Sequence, residues 1–240
     1  QPRIAVEKIL VHSPRIVSIG CYIWNIDLAT QVAALLRRIC PDITLVLGGP
    51  EISYETEQQE IFQYADCVIC GEGEIEFPRL CREILNHEDW KSTKNLSSDG
   101  EKFSGSSCSS NLRGDRIILA EPVDVEQIKL PYDLYTDEDI AHRAIYVEAS
   151  RGCPFRCEYC MSSLDPCVRY FPKARFLDAM QRLLDRGART FKFVDRSFNI
   201  DIGFALEILT FFRERHASGM MLHFEIIPDR LPDDLMDAVK

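Results

Sequence analysis

The sequence predicts an α/β protein whose first part is a doubly wound parallel sheet and whose second part adds three more βα units. Near-continuous apolar runs, typical of strands that are buried on both faces, alternate with amphipathic stretches of helical period. This alternation stops once, near the middle of the chain, and then resumes. The pattern therefore indicates two domains joined by a crossing segment.

The first domain is assigned to residues 1–90 from three strands, each followed by a helix. The predicted strands are Arg15–Cys21, Ile43–Leu47 and Cys67–Cys70, and the predicted helices are Leu28–Ile39, Glu57–Tyr64 and Phe77–Leu85. Cys67 and Cys70 form a C-x2-C pair, but residues three apart in a strand point to opposite faces. We therefore expect these two cysteines to pack in the core rather than to share a metal.

Residues 91–142 are predicted to link the two domains. Seven of the fourteen residues of Ser97–Ser110 are serine, which is typical of a flexible surface loop. Asn111–Leu119 is predicted to form a small hairpin that turns at Gly114–Asp115. The segment Pro122–Asp139 is acidic and punctuated by proline, as expected for a crossing between domains.

The second domain is assigned to residues 143–240. The predicted strands are Ala144–Ala149, Thr190–Val194 and Met221–Ile227, and the predicted helices are Phe176–Arg186, Ile202–Arg215 and Asp233–Lys240. Three successive βα units suit half of a βα barrel or a second open sheet. In a barrel, chemistry lies on the loops after the strand C-termini, which here are Ser150–Pro172, Asp195–Asn199 and Pro228–Arg230.

Composition excludes several classes of protein. The 240 residues are 46% hydrophobic and 28% charged, values of a globular protein rather than of collagen, a coiled coil or a disordered chain. A net charge of −10 argues against non-specific binding to duplex nucleic acid, and no apolar run approaches the length of a membrane span. The chain begins at Gln1 and ends inside a predicted helix, so we expect a fragment that lacks the first strand and the later half of the second domain.

Three of the ten cysteines form a C-x3-C-x2-C motif in the loop after the first strand of the second domain. They are Cys153, Cys157 and Cys160, and random placement of ten cysteines would give such a triplet only about 0.02 times. Thiolates on a loop shaped by Gly152 and Pro154 are the soft ligands that an iron–sulfur cluster needs. Three ligands for a cluster of four irons would leave one iron open to a substrate.

Three other interpretations of the triplet remain open at this point. The cysteines would be structural if the loop were buried among apolar side chains. They would bind zinc if Cys167 supplied a fourth ligand. They would hold a four-cysteine cluster used for electron transfer if Cys167 completed that cluster instead.

The triplet, with Tyr159 just before its third cysteine, resembles the motif of the radical S-adenosylmethionine (SAM) superfamily. The resemblance implies a [4Fe-4S] cluster on the three cysteines, with SAM chelating the open iron. One-electron reduction would then cleave SAM to methionine and a 5′-deoxyadenosyl radical. It also implies a one-electron reductant such as flavodoxin or ferredoxin, a cytoplasmic location and a substrate that the sequence does not identify.

The second strand of the second domain ends in FVDRSFN, which resembles the D-x-x-F-N variant of radical SAM enzymes that carry an N-terminal cobalamin-binding domain. The SAM contacts that this resemblance nominates are Tyr159, Asp195, Asn199 and Glu225. Asp195 and Asn199 have an alternative role in capping the helix that starts at Ile202. Glu225 has the alternative of an outward surface position.

The first domain places three segments at strand C-termini, where open α/β sheets bind ligands: Cys21–Asn25, Gly48–Glu51 and Gly71–Glu74. The segments GCYIWN, LVLGGPEISYE, VICGEGE, SRGCPFRCEYC and KFVDRSFN together resemble one branch of the cobalamin-binding radical SAM proteins. The cobalamin contacts that this resemblance implies are Cys21, Tyr22, Trp24, Gly48, Gly49, Pro50, Gly71 and Glu72. An ordinary tight turn at Gly48–Gly49 and aromatic packing of Tyr22 and Trp24 are the alternatives.

The leading hypothesis is a cobalamin-dependent radical SAM enzyme that transfers a methyl group to an unactivated carbon. The fold implied is a Rossmann-like (flavodoxin-like) cobalamin-binding domain followed by the first half of a TIM-like βα barrel. Two alternatives remain: an electron-transfer protein with Cys167 as fourth ligand, and a radical SAM enzyme whose first domain is vestigial and binds no cobalamin.

Overall fold

The computed structural model describes residues 1–87, 90, 111–113, 116–229 and 231–239. The chain divides into two compact units, Gln1–Val123 and Asp124–Lys240. The loop predicted over Ser97–Ser110 and the turn predicted at Gly114–Asp115 lie outside the described residues. Where the functional domains begin and end is not tested by these units, so the predicted limits at 1–90, 91–142 and 143–240 stay predictions.

The first unit contains a five-stranded sheet. Its strands are β1 (Ile16–Gly20), β2 (Thr44–Gly48), β3 (Cys67–Cys70), β4 (Asn111–Arg113) and β5 (Ile117–Leu119). The order is β1-β2-β3-β5-β4, parallel throughout except for the antiparallel pairing of β4 with β5. The three predicted strands and the predicted hairpin are confirmed, and the hairpin extends the first sheet.

Helices cover both faces of this sheet, which confirms the doubly wound α/β class. The helices are α1 (Pro2–Leu10), α2 (Ile26–Ile39) and α3 (Gly73–Asn86). Val6 of α1 and Leu36 of α2 are buried in one core, and Leu80 of α3 is buried in the core on the opposite face. Helix α1 is absent from the sequence-based prediction.

The predicted separation of the two β3 cysteines is confirmed. Cys70 packs with Val68 in the core under α1 and α2, whereas Cys67 packs with Ile69 in the core under α3. Both side chains are buried. The C-x2-C spacing on this strand therefore serves packing on two faces rather than chelation.

The helix predicted over Glu57–Tyr64 is wrong in type. The segment forms two short 3-10 helices, Thr56–Gln58 and Glu60–Tyr64. They are separated because Gln59 adopts an extended backbone conformation, with φ −71° and ψ 130°. Ile61 is nevertheless fully buried, so the segment still covers the sheet.

The second unit contains a three-stranded parallel sheet. Its strands are β6 (Ile145–Val147), β9 (Thr190–Phe193) and β10 (Met221–His223), in the order β10-β9-β6. The helices are α4 (Asp137–His142), α5 (Lys173–Asp185), α6 (Ile202–Glu214) and α7 (Asp233–Ala238). Phe191 and Phe193 of β9 pack with Phe176 of α5 and Phe212 of α6. The predicted succession of βα units is confirmed.

A small antiparallel ribbon follows β6 and was not predicted. It pairs β7 (Ser150–Arg151) with β8 (Arg169–Tyr170). The third predicted strand, Met221–Ile227, is wrong at its end, because β10 stops at His223. None of the helices in the described ranges is long and apolar enough to cross a membrane.

Candidate functional site

The cysteine triplet lies on a loop whose two ends are joined by the ribbon of β7 and β8. Within the loop, the backbone N–H of Cys153 donates to the carbonyl oxygen of Asp165 at 2.9 Å. Gly152 has φ +97°, and a Cβ at this position would lie 2.2 Å from the carbonyl oxygen of Cys167. Because an L side chain can occupy neither that conformation nor that space without strain, this turn requires glycine.

The three thiols differ in exposure. Cys153 is buried, Cys160 is half-buried and Cys157 is exposed. The pKa of Cys160 is lowered by hydrogen bonds from the backbone N–H and the hydroxyl of Ser162, with a further contribution from the positive charge of Arg196. A lowered pKa favours the thiolate, which is the form that binds metal.

The donor set fits an iron–sulfur cluster in its chemistry. Three cysteines share one loop, and the environment of Cys160 favours its thiolate. Across the residues that the structure describes, no three Cys, His, Asp or Glu side chains are gathered closely enough to hold a metal ion. The assignment of Cys153, Cys157 and Cys160 as ligands therefore stays a prediction.

Asp195 follows β9 and connects it to the end of β6. Its carboxylate accepts hydrogen bonds from the N–H of Ala149 at 3.1 Å and from the hydroxyl of Ser150 at 2.6 Å. The residue is 1% exposed, and burial raises the pKa of the carboxyl from 3.8 to about 6, against the opposing effect of these hydrogen bonds. The carboxylate of Asp195 thus fixes Ala149 and Ser150, where the cysteine loop begins. The contact of Asp195 with SAM stays a prediction.

Asn199 connects the loop after β9 to the loop after β10. Its side-chain amide donates to the carbonyl of Ile227 at 2.9 Å and accepts from the N–H of Ile227 at 2.7 Å. The cap of α6 is Asp201, whose carboxylate accepts from the N–H of Phe204 at 2.9 Å. The capping role considered for Asn199 and Asp195 therefore belongs to Asp201.

The other two nominated SAM contacts face solvent. Tyr159 is 93% exposed, and the side chain of Glu225 is also exposed, two residues beyond the end of β10. The carbonyl oxygen of Glu225 accepts from the N–H of Phe198 at 2.8 Å. Because the backbone of Glu225 and Ile227 bonds to the loop after β9, the ladder with β9 does not extend to these residues.

Ser197 contacts the cysteine loop and was overlooked in the sequence. Its hydroxyl lies 3.5 Å from the Sγ of Cys153, and both residues are buried. The sequence signal was its position within D-x-x-F-N, between two nominated residues. Nothing in the local pattern identifies a contact across 44 positions.

The first unit brings together the strand ends that were nominated for cobalamin. The N–H of Cys21, after β1, donates to the carbonyl of Gly48, at the end of β2, at 2.7 Å. Gly49 has φ +99°, and a Cβ there would lie 2.6 Å from the carbonyl oxygen of Cys21. Pro50 follows in the same turn. Cys21 is fully buried, and burial together with the charge of Glu51 raises the pKa of its thiol to about 11.

Ser53 connects the turns after β2 and β3. Its hydroxyl donates to the carbonyl of Gly49 at 2.8 Å and accepts from the N–H of Gly71 at 3.3 Å. Gly71 has φ +93°, and a Cβ there would lie 2.8 Å from the carbonyl oxygen of Ala120. The carboxylate of Glu72 accepts from the N–H of Val123 at 2.7 Å. Close backbone packing therefore defines this edge of the sheet.

Tyr22 and Trp24 form an exposed aromatic pair beside that edge. Their rings are stacked, with centroids 4.6 Å apart and planes at 14°. Trp24 is 77% exposed and Tyr22 is 37% exposed, so packing in the core of the unit does not account for Trp24. The pair offers a flat apolar surface of the kind that a planar ligand covers.

Replacing Gly49 with Ala should destabilise the first unit by about 1–3 kcal/mol, because the positive φ is strained for alanine and its Cβ would press on Cys21. Gly48→Ala is the matched control, since its Cβ would meet the carbonyl of Ile69 at an ordinary 3.6 Å. Urea unfolding of both variants measures the difference. Equal stability of the two variants would contradict the role assigned to this turn.

Residues 3–81 match the B12 binding domain family. A curated relative, the 2-(S-pantetheinyl)-carbapenam-3-carboxylate methyltransferase of Streptantibioticus cattleyicolor, is 25% identical over 198 residues, which is 79% of this chain and 28% of that protein. The cobalamin-dependent radical SAM methyltransferase TokK of Streptomyces tokunonensis is 24% identical over 194 residues, 78% of this chain and 28% of TokK. The chain is thus similar to methyltransferases, one of which, TokK, is a cobalamin-dependent radical SAM enzyme.

A solved radical SAM methyltransferase has a similar fold. The radical SAM methyltransferase TsrM of Kitasatospora setae, with tryptophan substrate and a SAM analogue bound, superposes with a TM-score of 0.65 at 17% identity. The match covers 98% of this chain and 48% of TsrM. TsrM with cobalamin and a [4Fe-4S] cluster bound matches with a TM-score of 0.60 at 18% identity, over 93% of this chain and 46% of TsrM. At this identity the likeness establishes the fold.

Proposed function

We propose that this protein is a radical SAM enzyme that uses cobalamin to transfer a methyl group to an unactivated carbon. The observation that carries the proposal is the placement of Cys153, Cys157 and Cys160 on the loop after β6, in a chain whose residues 3–81 match a B12 binding domain. When bound, a [4Fe-4S] cluster supplies the electron for reductive cleavage of SAM, and cobalamin carries the methyl group.

The second unit supports this proposal because some of its candidate residues are buried, where they would hold the site in shape, and others are exposed, where they would contact ligands. Buried Cys153 would anchor the cluster at the base of the loop, while exposed Cys157 and half-buried Cys160 would close around it. Asp195 and Asn199 join the strand ends and would keep the SAM site in shape. The exposed side chains of Tyr159 and Glu225 have room to approach SAM. We propose Tyr159, Asp195, Asn199 and Glu225 as the SAM contacts.

The first unit would hold cobalamin at the edge formed by the ends of β1, β2 and β3. Little side-chain volume lies at this edge, because it is formed by Gly48, Gly49, Gly71 and the buried Cys21. A large ligand can therefore approach the backbone closely. The stacked rings of Tyr22 and Trp24 would cover a face of the corrin. Pro50 and Glu72 complete the proposed set by shaping the two turns.

The partner implied by this chemistry is a one-electron reductant such as flavodoxin or ferredoxin. The substrate is not identified, and no nucleic acid or membrane partner is proposed. A cytoplasmic location stays a prediction. The chain spans 28% of the length of both curated methyltransferases, so the activity of the whole protein is part of this proposal.

Cysteine variants of the full-length protein distinguish the proposed enzyme from an electron-transfer protein. After anaerobic reconstitution and reduction with dithionite, we expect the EPR signal of a [4Fe-4S]⁺ cluster whose g-values shift on addition of SAM. Cys153→Ala should lose most of the cluster iron, whereas Cys167→Ala should retain the cluster iron. Loss of the cluster in Cys167→Ala, with a wild-type signal indifferent to SAM, would favour the four-cysteine electron carrier.

Cobalamin binding separates the proposal from the alternative of a vestigial first domain. We expect hydroxocobalamin to co-elute with the full-length protein in gel filtration, as seen by its visible absorption. Trp24→Ala, which removes one ring of the exposed pair, should weaken co-elution without lowering stability because Trp24 is 77% exposed. Wild-type protein that elutes free of cobalamin would indicate the vestigial domain.

A further inference from the structure

A serine hydroxyl from another part of the second unit contacts a sulfur atom of the cysteine triplet. The hydroxyl of Ser197, in the loop after β9, lies 3.5 Å from the Sγ of Cys153. Ser197 and Cys153 are 6% and 8% exposed, so water competes little for this contact.

The hydroxyl of Ser197 has two acceptors within reach and a single proton to donate. It lies 2.7 Å from the carbonyl oxygen of Arg196 and donates to it when the thiol of Cys153 keeps its own proton. A cysteine that binds iron has lost that proton. The buried sulfur anion would then face an oxygen lone pair, so the freely rotating hydroxyl hydrogen turns to the sulfur.

We propose that Ser197 is a positioning residue of the cluster, whose hydroxyl donates a hydrogen bond to the thiolate of Cys153 and thereby raises the reduction potential of the cluster. This inference rests on the proposed function. Reduction transfers one electron from the reductant protein to the cluster, from [4Fe-4S]²⁺ to [4Fe-4S]⁺, without breaking a bond. A donor on a ligand sulfur stabilises the more negative, reduced state, so it shifts the potential upward.

The test is an EPR-monitored redox titration of the full-length holoprotein and two alanine variants. Ser197→Ala should shift the midpoint potential to a more negative value at unchanged iron content. Ser163→Ala is the matched control, because the Ser163 hydroxyl donates to the carbonyl oxygen of Cys160 at 2.7 Å rather than to its sulfur. Its midpoint should equal that of the wild type.

The outcomes separate this inference from the function on which it rests. A wild-type midpoint in Ser197→Ala, with the cluster still sensitive to SAM, would overturn the inference alone. Absence of a cluster from the wild-type protein would overturn both. If Ser197→Ala fails to fold, Ser197→Gly removes the same hydroxyl, and a wild-type midpoint in that variant would equally overturn the inference.

Discussion

Gly152→Ala should unfold the cysteine loop and remove the cluster iron from the full-length protein. Residue 152 has φ +97°, a conformation that costs a non-glycine residue about 1–3 kcal/mol. The added Cβ would also lie 2.2 Å from the carbonyl oxygen of Cys167, far inside the van der Waals contact distance. Because this oxygen belongs to the backbone, it does not move aside by a side-chain rotation. Relief would require Cys167 to move, and the nearby bond from Cys153 to Asp165 would be lost with it.

Gly187→Ala is the matched control for this prediction. Gly187 has nearly the same φ, +99°, but no atom lies within 4 Å of its added Cβ. Its loss of stability should therefore be the conformational cost alone, about 1–3 kcal/mol. Calorimetry and iron analysis of both variants measure the contrast, and we expect at least twice the loss of stability in Gly152→Ala. Equal stability and equal iron content would show that the loop relaxes around a side chain.

The parallel strands could be predicted because their apolar runs are local and are bounded by glycine and proline. The residues of β3 were assigned without error, since CVIC is buried on both faces. Helix α1 was missed although Pro2 at its first turn is a known start signal and Val6 is buried. Pro2 was therefore a stronger sign of this helix than the short amphipathic pattern that follows it.

The errors came from interactions that no local pattern encodes. An eight-residue amphipathic stretch does not distinguish a helix from two 3-10 turns, and here extended Gln59 separates them. Beyond the early end of β10, the backbone of Ile227 bonds instead to the amide of Asn199, 28 positions away.

The candidate site was predictable in its residue types and less so in their roles. The cysteine triplet and the glycine turns were identified because spacing and turn chemistry are written in the sequence. The positions of Asp195 and Asn199 between strand ends depend on which strands become neighbours, β6 with β9 and β9 with β10. Such roles follow from topology, so a single sequence leaves them undetermined.

Asp195→Asn should make the protein more stable at neutral pH and remove part of its pH dependence. Burial raises the pKa of Asp195 from 3.8 to about 6, so the folded state holds this proton more tightly than the unfolded state. The stabilisation by the protonated carboxyl is complete below about pH 4, declines as the pH rises and is lost above about pH 6. At 1.36 kcal/mol per pH unit, the difference between the two limits is about 3 kcal/mol.

Asparagine has nearly the same shape and is neutral at every pH, and its carbonyl oxygen accepts from the hydroxyl of Ser150 or the N–H of Ala149. The neighbouring phenols of Tyr132 and Tyr170 have raised pKa values and do not ionise between pH 4 and 7. Urea unfolding of the wild type and Asp195→Asn over this range isolates the contribution of Asp195, because the other groups cancel in the difference. The variant should gain relative stability between pH 4 and 7. A difference that stays constant with pH would contradict the raised pKa of Asp195. It would mean that the carboxylate is ionised in the folded protein across this range, and that the hydrogen bonds from Ser150 and Ala149 outweigh the effect of burial.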